Sequence, residues 1–145
     1  MKFKLSLRFS LIMLLLMSSL TNAKTLADKA KADQASTFFI GQILAGDIET
    51  AYSLMSAYLG IDMSAFMERS KKVESDLKKL EQSIGKPLSY ALLKKQSVDE
   101  HFYKVSYLLK YETAALVWEI NYYQPDSGWR LVDISFNGDI NALFE

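Results

Sequence analysis

The chain has 145 residues, with seventeen basic and seventeen acidic side chains, one histidine and no cysteine. Without cysteine it has no thiolate nucleophile, no thiolate metal ligand and no residue for lipid attachment. The single histidine, His101, excludes a histidine-rich metal centre. The sequence also lacks a glycine-rich phosphate loop, a nucleophile elbow and calcium-loop spacing, so it predicts no cofactor.

Residues 1–23 predict a secretory signal peptide. The segment MKFKLSLRFSLIMLLLMSSLTNA combines three basic residues, an apolar run over residues 9–20 and small residues before Lys24. The run is shorter than the roughly 20 residues that span a bilayer; the alternative is an uncleaved anchor. Cleavage after Ala23 would leave a periplasmic or secreted chain of fourteen basic and seventeen acidic residues, a net charge of −3. That charge argues against a nucleic-acid partner.

Residues 24–145 predict a single domain whose first half is helical. A first helix is expected over residues 26–45, with an inward face that includes Phe38 and Phe39, and Gly46 ends it. Asp47 caps a second helix that ends near residue 60. Asp62 caps a third, with Ile61 and Phe66 as a hydrophobic staple. Its apolar stripe consists of Met63, Phe66, Met67, Val73, Leu77, Leu80 and Ile84.

After Pro87 the apolar period changes to two, which predicts four strands joined by short turns. Connections this short allow only antiparallel hairpins. In the second strand Tyr103, Val105, Tyr107, Leu109 and Tyr111 form the predicted core face. In the fourth strand Val132, Ile134 and Phe136 form the predicted core face. Trp129, Leu131 and Asp133 are then expected on the opposite, outer face. The alternative is a register slip at Gly128, which would point Asp133 into the cone.

The order of elements and two local phrases resemble the NTF2-like superfamily of α+β cone domains. FFIGQILAGDIETAYSLMS (residues 38–56) is similar to the helix, Gly-Asp turn and helix of that fold, and GWRLVDISFNG (residues 128–138) is similar to its closing strand. The resemblance covers nearly all of residues 24–145. It implies N-terminal helices packed on a curved four-stranded antiparallel meander, a reduced cone without the first two strands. It leaves function open, because this fold serves enzymes and binding proteins alike.

Two carboxylates, Asp133 and Glu119, are candidates for a general base. In ketosteroid-isomerase-like relatives such a carboxylate takes a proton beside a carbonyl, while a tyrosine hydroxyl stabilises the oxyanion. Tyr103, Tyr107, Tyr111 and Tyr122 are possible donors of that kind. The alternative is structural, since a strand acid commonly pairs with a cation and a strand tyrosine commonly packs in the core.

Three functions remain open from the sequence. The preferred one is a non-catalytic exported domain that binds a small apolar ligand or a protein through its cone or its outer sheet face. The predicted cone-lining residues are Tyr103, Tyr107, Trp118 and Tyr122. The second is an isomerase or dehydratase that uses Asp133 or Glu119. The third is a self-associating module, a homodimer, whose predicted interface consists of Val117, Tyr123, Trp129 and Leu131.

Overall fold

The chain folds into three helices followed by a four-stranded antiparallel sheet. This computed structural model describes residues 24–60 and 62–144. The predicted signal peptide and the staple residue Ile61 lie outside the described residues. The α+β class, the helical first half and the antiparallel order of the strands are confirmed. Among the described residues, no helix is both long and apolar enough to cross a membrane.

Each of the three α-helices begins directly after an aspartate, whereas a short 3-10 helix after the sheet, Asn141–Leu143, follows Ile140. The carboxylates of Asp28, Asp47 and Asp62 accept hydrogen bonds from backbone N–H groups of the first turns of α1 (Lys29–Ala45), α2 (Ile48–Ser56) and α3 (Met63–Ile84). These groups have no partner within the helix, so the caps stabilise the three starts. The predicted cap residues of α2 and α3 are therefore confirmed.

The first helix begins later than predicted because the chain before it pairs with the sheet. The backbone N–H of Leu26 donates to the oxygen of Trp129 at 2.9 Å, and the N–H of Trp129 donates back at 2.7 Å. Gly128 permits this approach: its φ is +70°, and a Cβ there would lie 2.7 Å from the side chain of Thr25. A residue with a side chain at this position would be strained for both reasons.

The sheet is a meander in the order β1-β2-β3-β4. Its strands are β1 (Pro87–Val98), β2 (Phe102–Tyr111), β3 (Ala115–Tyr123) and β4 (Arg130–Asn137). Pairing between β2 and β3 runs without interruption, whereas the β3–β4 register shifts opposite Asn121 and Tyr122. Helix α1 lies against β1 and β2, and α2 lies between α1 and α3.

The register shift corrects the predicted faces of β4. Tyr122 pairs with Leu131 and Asn121 pairs with Asp133, so Val132 is an extra residue, as in a β-bulge. Side chains alternate regularly only where no residue is inserted. Trp129 and Leu131 before the bulge and Ile134 after it are consequently all buried, whereas Val132 is 37% exposed. The prediction was wrong in placing Val132 in the core and Trp129 and Leu131 outside.

Most of the other predicted core positions are buried. The five inward residues of β2 are at most 6% exposed. In α3, Phe66, Val73 and Leu77 are buried, and Met67, Leu80 and Ile84 pack against the core. Two predicted core residues lie at the surface: Met63 is 57% exposed and Phe38 is 44% exposed. Met63 is the first residue of its helix, before the stripe reaches the core.

Candidate binding surface on the outer sheet face

The four predicted cone-lining residues form the contact between the sheet and α1. Tyr103, Tyr107, Trp118 and Tyr122 are all buried. The hydroxyl of Tyr103 donates to Asp33 at 2.5 Å, and that of Tyr107 bonds Thr37 at 3.0 Å. The two rings of Tyr103 and Tyr122 stack with centroids 6.4 Å apart. The structure brings these residues together, but it packs α1 over them.

Tyr122 is the most fully enclosed member of this contact. Its hydroxyl lies 2.7 Å from the Ser36 hydroxyl and donates to the oxygen of Ala32 at 3.2 Å. Burial is the main cause that raises the pKa of Tyr122 above its ordinary value. Burial likewise raises the pKa of Tyr103, and its hydrogen bond to Asp33 adds to the shift. These hydroxyls are neutral structural donors at ordinary pH.

Asp133 is held in an ion pair that connects β4 to α3. Its carboxylate accepts a hydrogen bond from the Arg69 guanidinium at 3.0 Å, and its side chain is 44% exposed. The carboxylate is thus engaged by a cation at a partly solvated position, which is the arrangement that strand acids commonly adopt. The predicted alternative of a structural pair therefore describes what Asp133 does in the fold.

Glu119 is paired in the same manner on the neighbouring strands. The amine of Lys104 on β2 donates to its carboxylate at 3.1 Å. Ser106 and Ser135 are its direct neighbours across the sheet. No tyrosine hydroxyl is hydrogen-bonded to either candidate acid in the part of the chain that the structure describes. The two carboxylates sit in separate ion pairs and do not form one site.

One buried tyrosine hydroxyl, that of Tyr52, feels the charge of the candidate acid Asp133. The Tyr52 hydroxyl has no hydrogen-bond partner among the described residues. Burial raises the pKa of Tyr52, the Arg69 charge opposes the shift and the Asp133 charge adds to it. Tyr52 is fully buried against Phe39 and Phe66. A substrate could reach this hydroxyl only if the core opened.

The predicted interface residues have different surroundings. Trp129 is 2% exposed and packs edge-on against Tyr103, and Leu131 is fully buried. Val117 is also buried, although it lies outside the main core cluster. Only Tyr123 keeps a partly exposed side chain. Three of the four residues thus have little surface to offer a partner in this fold.

The structure reveals a different apolar surface around Tyr123, at the β1–β2 hairpin end of the sheet. We define the outer patch as Val98, Phe102, Tyr123 and Val132. Together with His101 they line an open depression of about 490 Å³. Val98 is 62% exposed, Phe102 is 49% exposed, and the Phe102 and Tyr123 rings lie 5.1 Å apart. Exposed apolar residues that are grouped in this manner mark an interaction site more often than scattered ones do.

A second depression of about 370 Å³ adjoins the outer patch and shares Val98 and Phe102 with it. Gln96, Lys104 and Asn121 supply polar atoms to its lining. The combination is an apolar centre beside a polar margin, the usual composition of a protein-binding surface. Sequence reasoning missed Val98, Phe102 and Val132, yet the alternation of β2 already placed Phe102 opposite the core face.

Another apolar groove of about 360 Å³ lies between α1 and α2, where Phe38 and Leu54 are exposed. No group of histidine and acidic side chains in residues 24–60 and 62–144 could hold a metal ion. Comparisons with protein-family models, with curated proteins and with solved structures gave no match.

Proposed function

We propose that the chain is an exported, non-catalytic domain of the NTF2-like type that binds a protein partner through the outer patch. The observation that carries the proposal is the exposure of Phe102 and Val98 beside Tyr123 on the outer sheet face. Keeping such side chains in water is unfavourable, and covering them on association recovers part of that free energy.

The shape of the surface favours a protein over a small apolar ligand. A small-molecule site commonly encloses most of its ligand within a concave pocket. The outer patch is instead an open depression on the sheet, and the inner face, which packs against the helices, is filled by buried aromatic rings. A small ligand on the patch would leave much of its own surface in water. A broad apolar face of a protein partner would instead remove both the patch and itself from water.

The NTF2-like assignment is supported by the order of elements. Three helices precede an antiparallel meander, and α1 lies against the first two strands. The quoted Gly-Asp turn joins α1 to α2, and the quoted closing phrase forms β4. Export is supported by the basic, apolar and small-residue pattern of residues 1–23.

The test compares two charge substitutions at equally exposed apolar positions. Phe102→Asp alters the outer patch, and Leu54→Asp, at a residue that is 46% exposed on α2, is the matched control. Residues 24–145 of each variant, first shown to retain the wild-type melting midpoint, are used to capture extracytoplasmic proteins from the source cells. We expect one partner to be retained by the wild type and the control and to be lost with Phe102→Asp.

Equal capture by all three proteins would contradict the proposal, and so would turnover of an enolisable ketone that Asp133→Asn abolishes. Light scattering over a range of concentrations tests the self-associating alternative. A dimer that dissociates with Phe102→Asp would assign the outer patch to a second copy instead of another protein. The export step is checked separately by the intact mass of the released chain, which should begin at Lys24.

A further inference from the structure

The two edges of the sheet differ in how they are covered. On the β4 side, Leu26 pairs with Trp129 and Leu59 pairs with Leu131, and the N–H of Leu131 donates to the oxygen of Tyr58 at 2.9 Å. Strand β1 pairs only with β2, and no strand among the described residues lies on its other side. Alternate backbone N–H and C=O groups of β1 consequently point away from the sheet without a strand partner.

The uncovered strand is long and carries exposed apolar side chains. It has 12 residues, none of which is fully buried. Leu88 is 60% exposed, Leu92 is 51% exposed and Leu93 is 38% exposed. A register shift between Leu92 and Lys94 divides it into two segments, each long enough to pair with a short strand. We refer to the unpaired side of Pro87–Val98 as the β1 edge.

The charge of this strand has one sign. Its sequence, PLSYALLKKQSV, contains two lysines and no acid, and Lys86 directly precedes it. Lys95 is paired with Asp33 at 2.7 Å. Neither Lys86 nor Lys94 has a carboxylate within ion-pair distance among residues 24–60 and 62–144. The β1 edge therefore combines unpaired backbone groups and exposed leucines with free positive charge.

We propose that the β1 edge binds an extended segment of a partner protein in which apolar and acidic residues alternate, so that the segment adds a fifth strand to the sheet. Its backbone would supply the hydrogen bonds that the edge lacks, as in other strand-addition complexes. On one face its apolar residues would cover the exposed leucines. On the other its carboxylates would lie beside Lys94, because oppositely charged neighbours across strands attract.

The same lysines argue against a second copy of the chain as the occupant. Antiparallel pairing of two β1 strands would add two more lysines and no acid to the same edge. Lysine on an edge strand is a common means of preventing such pairing between copies. An acidic strand would meet no repulsion there. The lysines of β1 therefore favour an acidic partner strand and disfavour pairing with a second copy.

This site is distinct from the outer patch and meets it only at Val98, the last residue of β1. The outer patch presents side chains on a sheet face, whereas the β1 edge presents backbone groups in the plane of the sheet. Either site can therefore fail its test without affecting the other.

The experiment uses residues 24–145 and fluorescently labelled, end-capped peptides of about ten residues, the length of an ordinary strand. The first peptide alternates valine with glutamate, the second replaces each glutamate with lysine, and the third keeps glutamate but carries N-methyl groups on alternate amides. Fluorescence anisotropy measures binding. We expect the glutamate peptide to bind at least tenfold more tightly than either control and to weaken as salt is added.

Charge reversal in the protein provides the second arm. Lys94→Glu should weaken the glutamate peptide by at least tenfold and strengthen the lysine peptide. Lys71→Glu, at an exposed lysine on α3, should change neither. Hydrogen exchange should show slower exchange in Pro87–Val98 when the glutamate peptide is bound.

Equal affinity for the glutamate and lysine peptides would overturn the proposal, as would unchanged binding by Lys94→Glu. Tight binding of the N-methylated peptide would also overturn it, because strand addition requires the blocked amides. A stable dimer of residues 24–145 with protected β1 amides would assign the edge to a second copy. The proposal would also be refuted if the glutamate peptide showed no binding at protein concentrations up to about 1 mM. A dissociation constant of that size corresponds to a binding free energy of only about −4 kcal/mol.

Discussion

Replacing Tyr52 with phenylalanine should stabilise the domain, although tyrosine-to-phenylalanine changes in a core usually do the opposite. The Tyr52 hydroxyl is buried without a hydrogen-bond partner among the described residues. In the unfolded chain the same hydroxyl bonds to water, so folding carries a desolvation cost. Mutational data place the cost of burying an unpaired hydroxyl at about 1–3 kcal/mol.

The rest of the Tyr52 side chain supports this estimate. Its ring contacts Phe39 with centroids 5.4 Å apart and Phe66 with centroids 5.0 Å apart. Phenylalanine would keep both contacts, because the substitution removes only the oxygen. We therefore expect a gain in the free energy of unfolding of about 1 kcal/mol, the lower end of that range.

Tyr122→Phe is the matched control, because it removes the same atom from an equally buried ring. Its hydroxyl bonds the Ser36 hydroxyl at 2.7 Å and the oxygen of Ala32 at 3.2 Å. Phenylalanine would leave the buried Ser36 hydroxyl without this partner and would remove one of the bonds to the Ala32 oxygen, which should cost about 1–3 kcal/mol. The same chemical change should therefore have opposite signs at the two positions.

Urea denaturation of residues 24–145 measures both effects. For a small domain the free energy changes by about 1–3 kcal/mol per molar urea, so a 1 kcal/mol gain would raise the midpoint by roughly 0.3–1 M. The slope should be unchanged. A lower midpoint for Tyr52→Phe would refute the reasoning, because it would mean that Arg69, Asp133 or another group satisfies the hydroxyl.

Three further predictions follow from burial and charge. Trp129→Ala should lower the free energy of unfolding by about 3–5 kcal/mol in urea melts, because Trp129 is 2% exposed; a loss below about 0.5 kcal/mol, typical of surface changes, would contradict its core position. Asp133→Asn should cost at most about 1 kcal/mol by the same assay, because the pair with Arg69 is part-exposed; a clear gain in stability would instead indicate a carboxylate held at a cost. Burial raises the pKa of Tyr111 from 10.0 to about 12. The folded state thus keeps a proton that the unfolded state releases, so this contribution is complete below pH 10.0 and is lost as pH rises toward 12. Urea midpoints should fall between about pH 9 and about pH 11, and a constant midpoint would contradict the raised pKa.

Local chemistry in the sequence was sufficient to predict most of the elements. Asp47 and Asp62 can cap a helix wherever they stand before an amphipathic run, because the hydrogen bond joins residues two or three apart. The regular alternation of β2 identified its core face, since no residue interrupts its pairing with β3. These features depend on contacts between near neighbours, and such contacts can be read from spacing.

The faces of β4 depended on a contact that spacing does not reveal. The inserted residue Val132 lets Leu131 and Ile134 both face the core, and the N-terminal segment covers Trp129 through its pairing with Leu26. Alternation alone assigns Trp129 to the opposite face from Ile134. Only the tertiary structure shows the bulge, because it arises from register with β3 and not from the composition of β4.

The sequence by itself determined which residues are able to form a site, and the tertiary structure decided which of them are accessible. Tyr103 and Tyr122 have the same inward position on their strands whether a cavity or a helix lies above them; here α1 fills that space and takes their hydrogen bonds. Phe102 and Leu92 look like ordinary strand residues in sequence, yet they are exposed because none of the described helices or strands covers the outer face at Phe102 or the edge at Leu92. Whether a residue is buried depends on which segment packs against it. For the inward tyrosines that segment is α1, which lies far from the strands along the chain.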